Sequence, residues 1–334
     1  MTVYAPPALL NMGRPKKHHY VPQFLLRNFA RMGGTRLYVF DKQTDRVFLA
    51  SVADVAAENR LYEFSLGDLT ATIEPSLADF ESKAAGVLRE VLSNDSLADL
   101  TVYQRVVLSG LVAQLLLRSP QQRAAMRHMN AELRQRVAAM GTDPDLLPQL
   151  RVLDNNEEKL FTASVLPDLM KQFIPFISEK AWILHSVSED ETLYISDNPV
   201  AMHNEMKFDL RGNVGLAVEG VEVYLPISCR RCLGMYCPSV RSELEAAYEE
   251  CQRLSAAGRQ PLPPSPPEEV VRFFGAFRTG KCSPLPRMSI EFVNSLQVWN
   301  AERYVYSGVD DFALARQMIA NNPSLRKGPR PQVS

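Results

Sequence analysis

The spacing of apolar residues changes along the chain, and this change constrains the fold more than any other sequence feature. From about residue 75 to residue 180 apolar residues recur at helical spacing, whereas the segments before and after this block alternate as strands do. Strands on both sides of a helical block suggest a sheet assembled from distant segments. The sequence therefore predicts an α+β fold with a mixed or antiparallel sheet, built from N-terminal strands and from central and C-terminal strands.

Local signals place the individual elements. Residues 37–51 alternate β-forming residues around a polar DKQTD turn, which is typical of a hairpin. Thr101 and Gln104 form a capping box for a helix that ends near Arg118. Further helices are predicted over 75–92, 120–140, 157–179, 239–257, 268–277, 288–300 and 310–320, and strands over 181–188, 191–197, 221–237 and 303–307.

Length and composition indicate one domain. The chain has 334 residues, of which 46% are hydrophobic and 22% charged, as in globular proteins with a substantial core. We expect a single domain over residues 15–320, a disordered leader over 1–14 and a flexible tail over 321–334. Met12 directly precedes GRPKKHHY and is a candidate for the true start.

Targeting signals are weak. The first dozen residues lack the charged start and the apolar run of a secretion signal. The five cysteines do not make a closed set of disulfides and suit a reducing compartment. The most apolar stretch, residues 106–117, is shorter than the ~20 residues that a bilayer requires. These features predict a cytoplasmic protein without a membrane span.

Positive charge is concentrated at the start of the chain. Residues 1–40 carry six basic residues and no acidic one, so the rest of the chain has a charge of −7 against an overall −1. This segment is either a solvated basic tail or a surface that attracts phosphate groups. The residues that would contact phosphate are Lys16, Lys17 and Arg27.

The helix predicted over 120–140 has a second basic feature. On a helical projection Arg123, Arg127 and Arg134 fall within about 40° of one another, which makes either a solvated ridge or a second phosphate-binding surface. Beside this ridge runs an apolar stripe, which we expect to face the core. The apolar stripe consists of Met126, Met129, Leu133, Val137 and Met140.

Several blocks of the sequence carry a family resemblance. The segment KHHYVPQFLLRNFA is followed, in order, by IEPSLADFESKAA, LLLRSP, YISDNPV, YLPIS and VNSLQVWNAERYVYS. With these blocks the chain resembles a bacterial family of unknown function whose members open with an HHYVPQF-type motif and later carry an SDNPV motif. The resemblance covers nearly the whole chain. It implies that the blocks belong to one domain, and it implies no activity.

The paired histidines of the opening motif could take part in chemistry. Neutral imidazole binds Zn²⁺, Mn²⁺ or Fe²⁺ and acts as a general base near neutral pH. Because neighbouring side chains on a strand point to opposite faces, only one of His18 and His19 should enter a given site. The alternative is that a histidine bonds a buried carbonyl. The motif also resembles the H-H-x-x-P opening of some HNH-type nucleases, although the later helical histidine is missing.

Three further residues are candidates for the same site. Glu81 lies at the edge of the buried stripe of its helix and needs a partner, either a metal ion or an arginine, with Arg118 the leading candidate. Arg118 could instead clamp a phosphate. Asp197 ends a strand within SDNPV, where its carboxylate either serves a site or forms an Asx turn.

These residues lead to two functional hypotheses. The first is a metal-dependent phosphodiesterase or nuclease-like enzyme, with a divalent ion such as Mn²⁺, Mg²⁺ or Zn²⁺. In this hypothesis His18, His19, Glu81 and Asp197 hold the ion, and Arg118 stabilises phosphate charge. The second is a non-catalytic protein that binds nucleic acid or another phosphate-bearing ligand and uses its polar residues only to stabilise the fold.

Overall fold

The computed structural model describes residues 16–31, 34–206, 214–259, 267–285 and 287–331. The predicted leader over residues 1–14, including Met12, lies outside these ranges. Within the described residues the chain alternates short strands with helices. The helices are α1 (Gln23–Arg27), α2 (Glu74–Asn94), α3 (Val102–Arg118), α4 (Pro120–Ala139), α5 (Asn155–Ser178), α6 (Pro238–Ala256), α7 (Pro267–Thr279), α8 (Arg287–Asn300) and α9 (Ala313–Asn321).

The strands of the described residues pair into two larger sheets and two short two-stranded ones. The strands are β1 (Lys17–His19), β2 (Arg36–Asp41), β3 (Arg46–Ser51), β4 (Ala57–Asn59), β5 (Glu63–Leu66), β6 (Leu69–Thr72), β7 (Ala181–Ser186), β8 (Ile195–Ser196), β9 (Ala201–His203), β10 (Glu222–Ser228), β11 (Arg231–Tyr236), β12 (Ser283–Pro284) and β13 (Tyr304–Ser307). The larger sheets have the orders β12-β7-β11-β10-β9 and β3-β2-β13-β8, and the short ones pair β1 with β4 and β5 with β6.

The four-stranded sheet confirms that distant segments pair across the helical block. The predicted hairpin is present as β2 and β3, with Phe40 opposite Val47. The C-terminal strand β13 lies between β2 and the central strand β8, and all three pairings in this sheet are antiparallel. In the five-stranded sheet only β12 runs parallel to its neighbour. The chain therefore has the α+β fold that the sequence predicts.

Helix α3 runs through the core. Its capping box is formed as predicted: the Thr101 hydroxyl accepts from the Gln104 amide at 3.2 Å, and the Gln104 side chain accepts from the Thr101 amide at 3.0 Å. All residues from 107 to 115 are buried. At Gly110 a Cβ would lie 2.7 Å from the Phe80 ring, so glycine lets α2 pack closely against α3. This packing brings the end of α3, with Arg118, next to α2.

Helix α4 differs from the prediction. We expected the apolar stripe to face the core, but Met126 and Met129 are each 43% exposed and Met140 is 81% exposed. Among the described residues, none from α4 is buried or packs against a core cluster. The arginine ridge instead turns toward acidic residues of other segments. A helical projection separates two faces, but it does not show which face meets the rest of the molecule.

The C-terminal segment, where the sequence predicts a flexible tail over 321–334, contacts the domain in the residues described up to 331. Leu325 is 7% exposed and belongs to a small core cluster beside α9. The Arg330 guanidinium donates to both carboxylate oxygens of Glu302, at 2.8 and 2.6 Å. Gln121 donates to the carbonyl of Pro329 at 3.0 Å. Through residue 331, the last one described, this segment therefore packs on the domain.

None of the helices in the described ranges combines the length and hydropathy that crossing a bilayer requires.

Candidate functional site

A buried arginine lies at the centre of the candidate site. The Arg118 side chain is 1% exposed, and each of its three nitrogens has a partner. Nε donates to the Tyr62 hydroxyl at 2.6 Å, Nη1 to Glu81 Oε1 at 2.7 Å, and Nη2 to the carbonyl of His19. The guanidinium also lies 4.7 Å from the centre of the Tyr62 ring. The predicted Glu81–Arg118 ion pair is therefore confirmed, and it compensates the charge that α3 carries into the core.

His18 enters the site from β1. Its side chain is buried, and its ring stacks on that of Tyr62 with 5.6 Å between centroids. Nδ1 accepts a hydrogen bond from the Tyr62 amide at 3.0 Å. Because this nitrogen is an acceptor, a neutral His18 carries its proton on Nε2. This tautomer suits a structural or positioning role.

His19 contributes mainly through its backbone. Its carbonyl accepts from Arg118, while its side chain lies near the backbone of residues 52 and 53. Burial lowers the pKa of His19, so the imidazole is neutral at pH 7. Its Nε2 is buried and has no hydrogen-bond partner. His19 is therefore a neutral imidazole with an unused ring nitrogen.

Glu74 is the residue of this site that the sequence did not reveal. It is the first residue of α2, and its Oε2 lies 4.0 Å from His18 Nδ1. This oxygen is buried without a hydrogen-bond partner, although 27% of the side chain is exposed. Burial raises the pKa of Glu74 to about 7, and nearby Glu81 adds to the effect while Arg118 opposes it. The sequence did offer one sign of Glu74: it lies seven residues before Glu81 and therefore on the same face of α2.

Asp197 has a different role from the one predicted for it. It is buried, and its carboxylate accepts from the amides of Glu302, Arg303 and Tyr304, each at 2.8 Å. Burial raises the pKa of Asp197 to about 6, against the effect of these amides and of Lys42. Asp197 thus holds the turn that leads into β13.

The surroundings of Asp197 are polar and mostly buried. Lys42 donates to the carbonyls of Val298 and Ala301 at 2.7 and 2.6 Å, and burial lowers its pKa to about 8. Asn198 and Asn300 bond each other's backbone carbonyls at 3.1 and 2.9 Å. The SDNPV block begins at the last residue of β8, and the VNSLQVWNAERY block runs from α8 into β13. These hydrogen bonds therefore hold the end of β8 against the turn between α8 and β13.

The predicted metal ligands do not come together. Among the described residues, which include all four of them, no group of three or more His, Cys, Asp or Glu side chains is arranged to hold a metal ion. The structure brings His18, His19, Glu81 and Arg118 into one cluster, whereas Asp197 is engaged by the turn before β13.

Most of the predicted phosphate-binding residues are paired with protein groups. Arg123 bonds Glu58, Arg127 bonds Glu158 at 2.8 Å, and Arg134 bonds Asp145 at 2.7 Å. In the N-terminal segment, Lys17 pairs with Asp54 at 2.5 Å, Arg27 donates to Gln23 at 2.9 Å, and Lys16 is exposed. The ridge of α4 therefore carries less free positive charge than the sequence suggests.

The fold and site define an α+β protein with an arginine-centred buried polar cluster. A family model described as protein of unknown function, DUF4238, matches residues 17–311. The chain belongs to this family, which confirms the resemblance found in the sequence. No curated protein and no solved structure matches the chain. The matched residues include both larger sheets and every member of the cluster.

Replacing the Asp197 carboxylate should destabilise the fold. In Asp197→Asn the amide group cannot accept from all three backbone N–H groups, so at least one buried donor loses its partner. We expect the free energy of unfolding in urea to fall by about 2–4 kcal/mol. The exposed Asp310→Asn is the matched control, with an expected change below about 0.5 kcal/mol. Equal stability of the two variants would contradict the role assigned to Asp197.

Glu74 should make the stability of the protein depend on pH. Its pKa is about 7 in the folded chain and 4.5 ordinarily, so the folded state binds the proton more tightly. The free energy of unfolding should therefore decrease as pH rises from about 4.5 to about 7 and stay lower above it. At pH 8 we expect Glu74→Gln to be more stable than the parent by about 1–2 kcal/mol, after allowing for partial exposure.

The measurement is urea unfolding from pH 5 to pH 8, with exposed Glu243→Gln as a control for the same loss of charge. Parallel pH profiles for Glu74→Gln and the parent chain would show that the Glu74 carboxyl is not perturbed.

Proposed function

We propose that this protein is a phosphodiesterase, nuclease-like in its substrates, in which Glu74 transfers protons. One observation carries the proposal: Glu74 Oε2 is buried, has no hydrogen-bond partner among the described residues and lies 4.0 Å from His18 Nδ1, on a side chain that solvent still reaches. Charged groups are rarely left in this state for stability alone. Sites of chemistry are where proteins retain such groups.

The protonation of Glu74 suits acid–base catalysis. With a pKa near 7, the carboxyl group is present in both protonation states at neutral pH, so it can donate a proton or accept one. In phosphodiester hydrolysis such a group either activates the attacking water or protonates the leaving oxygen. The neutral His19 ring has a buried Nε2 without a hydrogen-bond partner, which is a second proton acceptor on the same strand as His18.

Arg118 and Glu81 act as positioning residues in this proposal. Because the guanidinium is 1% exposed and its nitrogens already contact Tyr62, Glu81 and His19, it supports the strand that carries the histidines. A direct contact with substrate phosphate would require it to leave these partners. The hypothesis that Arg118 stabilises phosphate charge therefore has less support than a structural role.

The choice of an anionic substrate rests on the lysines beside the histidines. Lys16 is exposed, and Lys17 forms an ion pair whose two side chains are half-exposed or more. Exposed pairs contribute about 0–1 kcal/mol, so Lys17 can exchange Asp54 for a phosphate group at little cost. Arg123 and Arg134 are less available because each pairs with a carboxylate and only about a fifth of each side chain is exposed. The exposed Arg127, in contrast, could exchange Glu158 as Lys17 could exchange Asp54.

The metal-dependent form of the proposal has no ligand cluster to support it among the residues that the structure describes. The proposed proton transfers therefore run through Glu74, and assays with and without Mn²⁺ or Mg²⁺ distinguish the two forms.

Activity should depend on the Glu74 carboxyl group. Purified protein is assayed on single-stranded DNA, RNA and bis(p-nitrophenyl) phosphate, with EDTA or with Mn²⁺ or Mg²⁺. We expect Glu74→Gln to lower kcat by at least about 100-fold, the effect typical of losing a general acid or base. Glu243→Gln should leave kcat unchanged. The proposal fails if the parent chain turns over none of these substrates, or if Glu74→Gln is as active as the parent.

A non-catalytic binding protein is the second candidate. The observation in its favour is that Arg118 and Asp197 are fully used within the fold. This candidate predicts binding of fluorescent oligonucleotides that weakens with salt, without cleavage. Lys16→Glu combined with Lys17→Glu should then weaken binding at least about tenfold, because each lysine would become a repulsive charge.

A further inference from the structure

The apolar stripe of α4 is largely exposed among the residues that the structure describes. Met126 and Met129 are 43% exposed and Met140 is 81% exposed, while Leu133 and Val137 are partly exposed. Within the described residues, none of the five packs against either core cluster. A row of exposed apolar residues along one helix face marks an interaction surface, and methionine is common on such surfaces.

The spacing of the apolar stripe identifies what covers it. Its members are separated by three, four, four and three residues, so the pattern reads the same in both directions from Leu133. A two-fold axis at Leu133 places a second α4 antiparallel to the first. Met126 then meets Met140 of the second copy, Met129 meets Val137, and Leu133 meets Leu133. This self-complementarity is what a symmetric dimer interface requires, whereas an unrelated partner requires no symmetry.

The charges beside the stripe fit the same arrangement. Glu132 and Arg136 are four residues apart on one flank, and neither forms an ion pair in the described residues. Across the two-fold axis each Glu132 faces Arg136 of the second copy, which gives two equivalent ion pairs. On the other flank, Arg134 would approach Arg134 of the second copy. Within each chain, however, Arg134 already donates to Asp145 at 2.7 Å and to the carbonyl of Leu150 at 2.8 Å.

We propose that the protein forms an antiparallel two-fold dimer through the apolar stripe of α4, with a second copy of this chain as the occupant. The interface combines five apolar residues from each copy with the two Glu132–Arg136 pairs. It uses none of the residues of the Arg118 cluster and does not depend on the chemistry proposed for Glu74.

The first test is the oligomeric state of the full chain by sedimentation velocity over a range of concentrations. The parent chain should form dimers, and Leu133→Glu should be monomeric because it places two carboxylates against each other on the axis. Met288→Glu is the matched control, since Met288 is 84% exposed on a different helix, and it should remain dimeric. A monomeric parent chain, or a dimer that Leu133→Glu leaves intact, overturns the proposal.

The second test is a charge exchange. Glu132→Arg and Arg136→Glu should each weaken the dimer at least about tenfold, because like charges then face each other. The double variant restores opposite charges and should return the dissociation constant to within about threefold of the parent value. Failure of the double variant to recover overturns the antiparallel register.

The third test locates the axis. In Leu133→Cys the two introduced thiols meet, so mild oxidation should give a disulfide-linked dimer on a non-reducing gel. Ala131→Cys is the control, because residue 131 is exposed on the opposite side of α4. The parent chain measures the background from its five native cysteines. Equal cross-linking of both variants overturns the proposed axis.

Discussion

The burial of the Arg118 charge is the constraint on which the candidate site depends. A guanidinium can be buried at the end of α3 only if its donors are satisfied, and here the partners come from three other segments. The Tyr62 hydroxyl, the Glu81 carboxylate and the His19 carbonyl thereby become neighbours. The position of His18 follows, because the amide of Tyr62 donates to its ring. The arginine thus organises a site that it need not serve chemically.

A second buried charge organises the segments around β13. Asp197 and Lys42 are both buried, and together they bind amides and carbonyls at the turn between α8 and β13. Apart from YLPIS, the sequence blocks that carry the family resemblance contribute to the bonds around Asp197 or to the Arg118 cluster. These blocks share a structural requirement, since they supply partners to polar groups that would otherwise be buried alone. The family resemblance therefore indicates a shared fold directly and a shared function only indirectly.

Local patterns predicted most of the elements and one contact of the site. The hairpin β2–β3, the Thr101 capping box and the Glu81–Arg118 pair could all be predicted, because each depends on near neighbours or on a charge that required a partner. Glu74 was missed because its perturbation arises from burial against residues of other segments. The ridge of α4 was misjudged for a similar reason: its acidic partners lie far along the chain, at Glu58 and Glu158 in two cases.

What the sequence determined by itself was periodicity and composition: where helices and strands form, that they make an α+β fold, and that a charge in an apolar helix must be paired. The tertiary structure alone decided which charges meet, which face of α4 remains exposed, and that Asp197 binds backbone amides rather than joining the histidines. The physical reason is the distance along the chain over which each kind of interaction acts. Backbone preferences and side-chain periodicity act over a few residues, whereas burial and hydrogen-bond pairing depend on segments that only folding brings together.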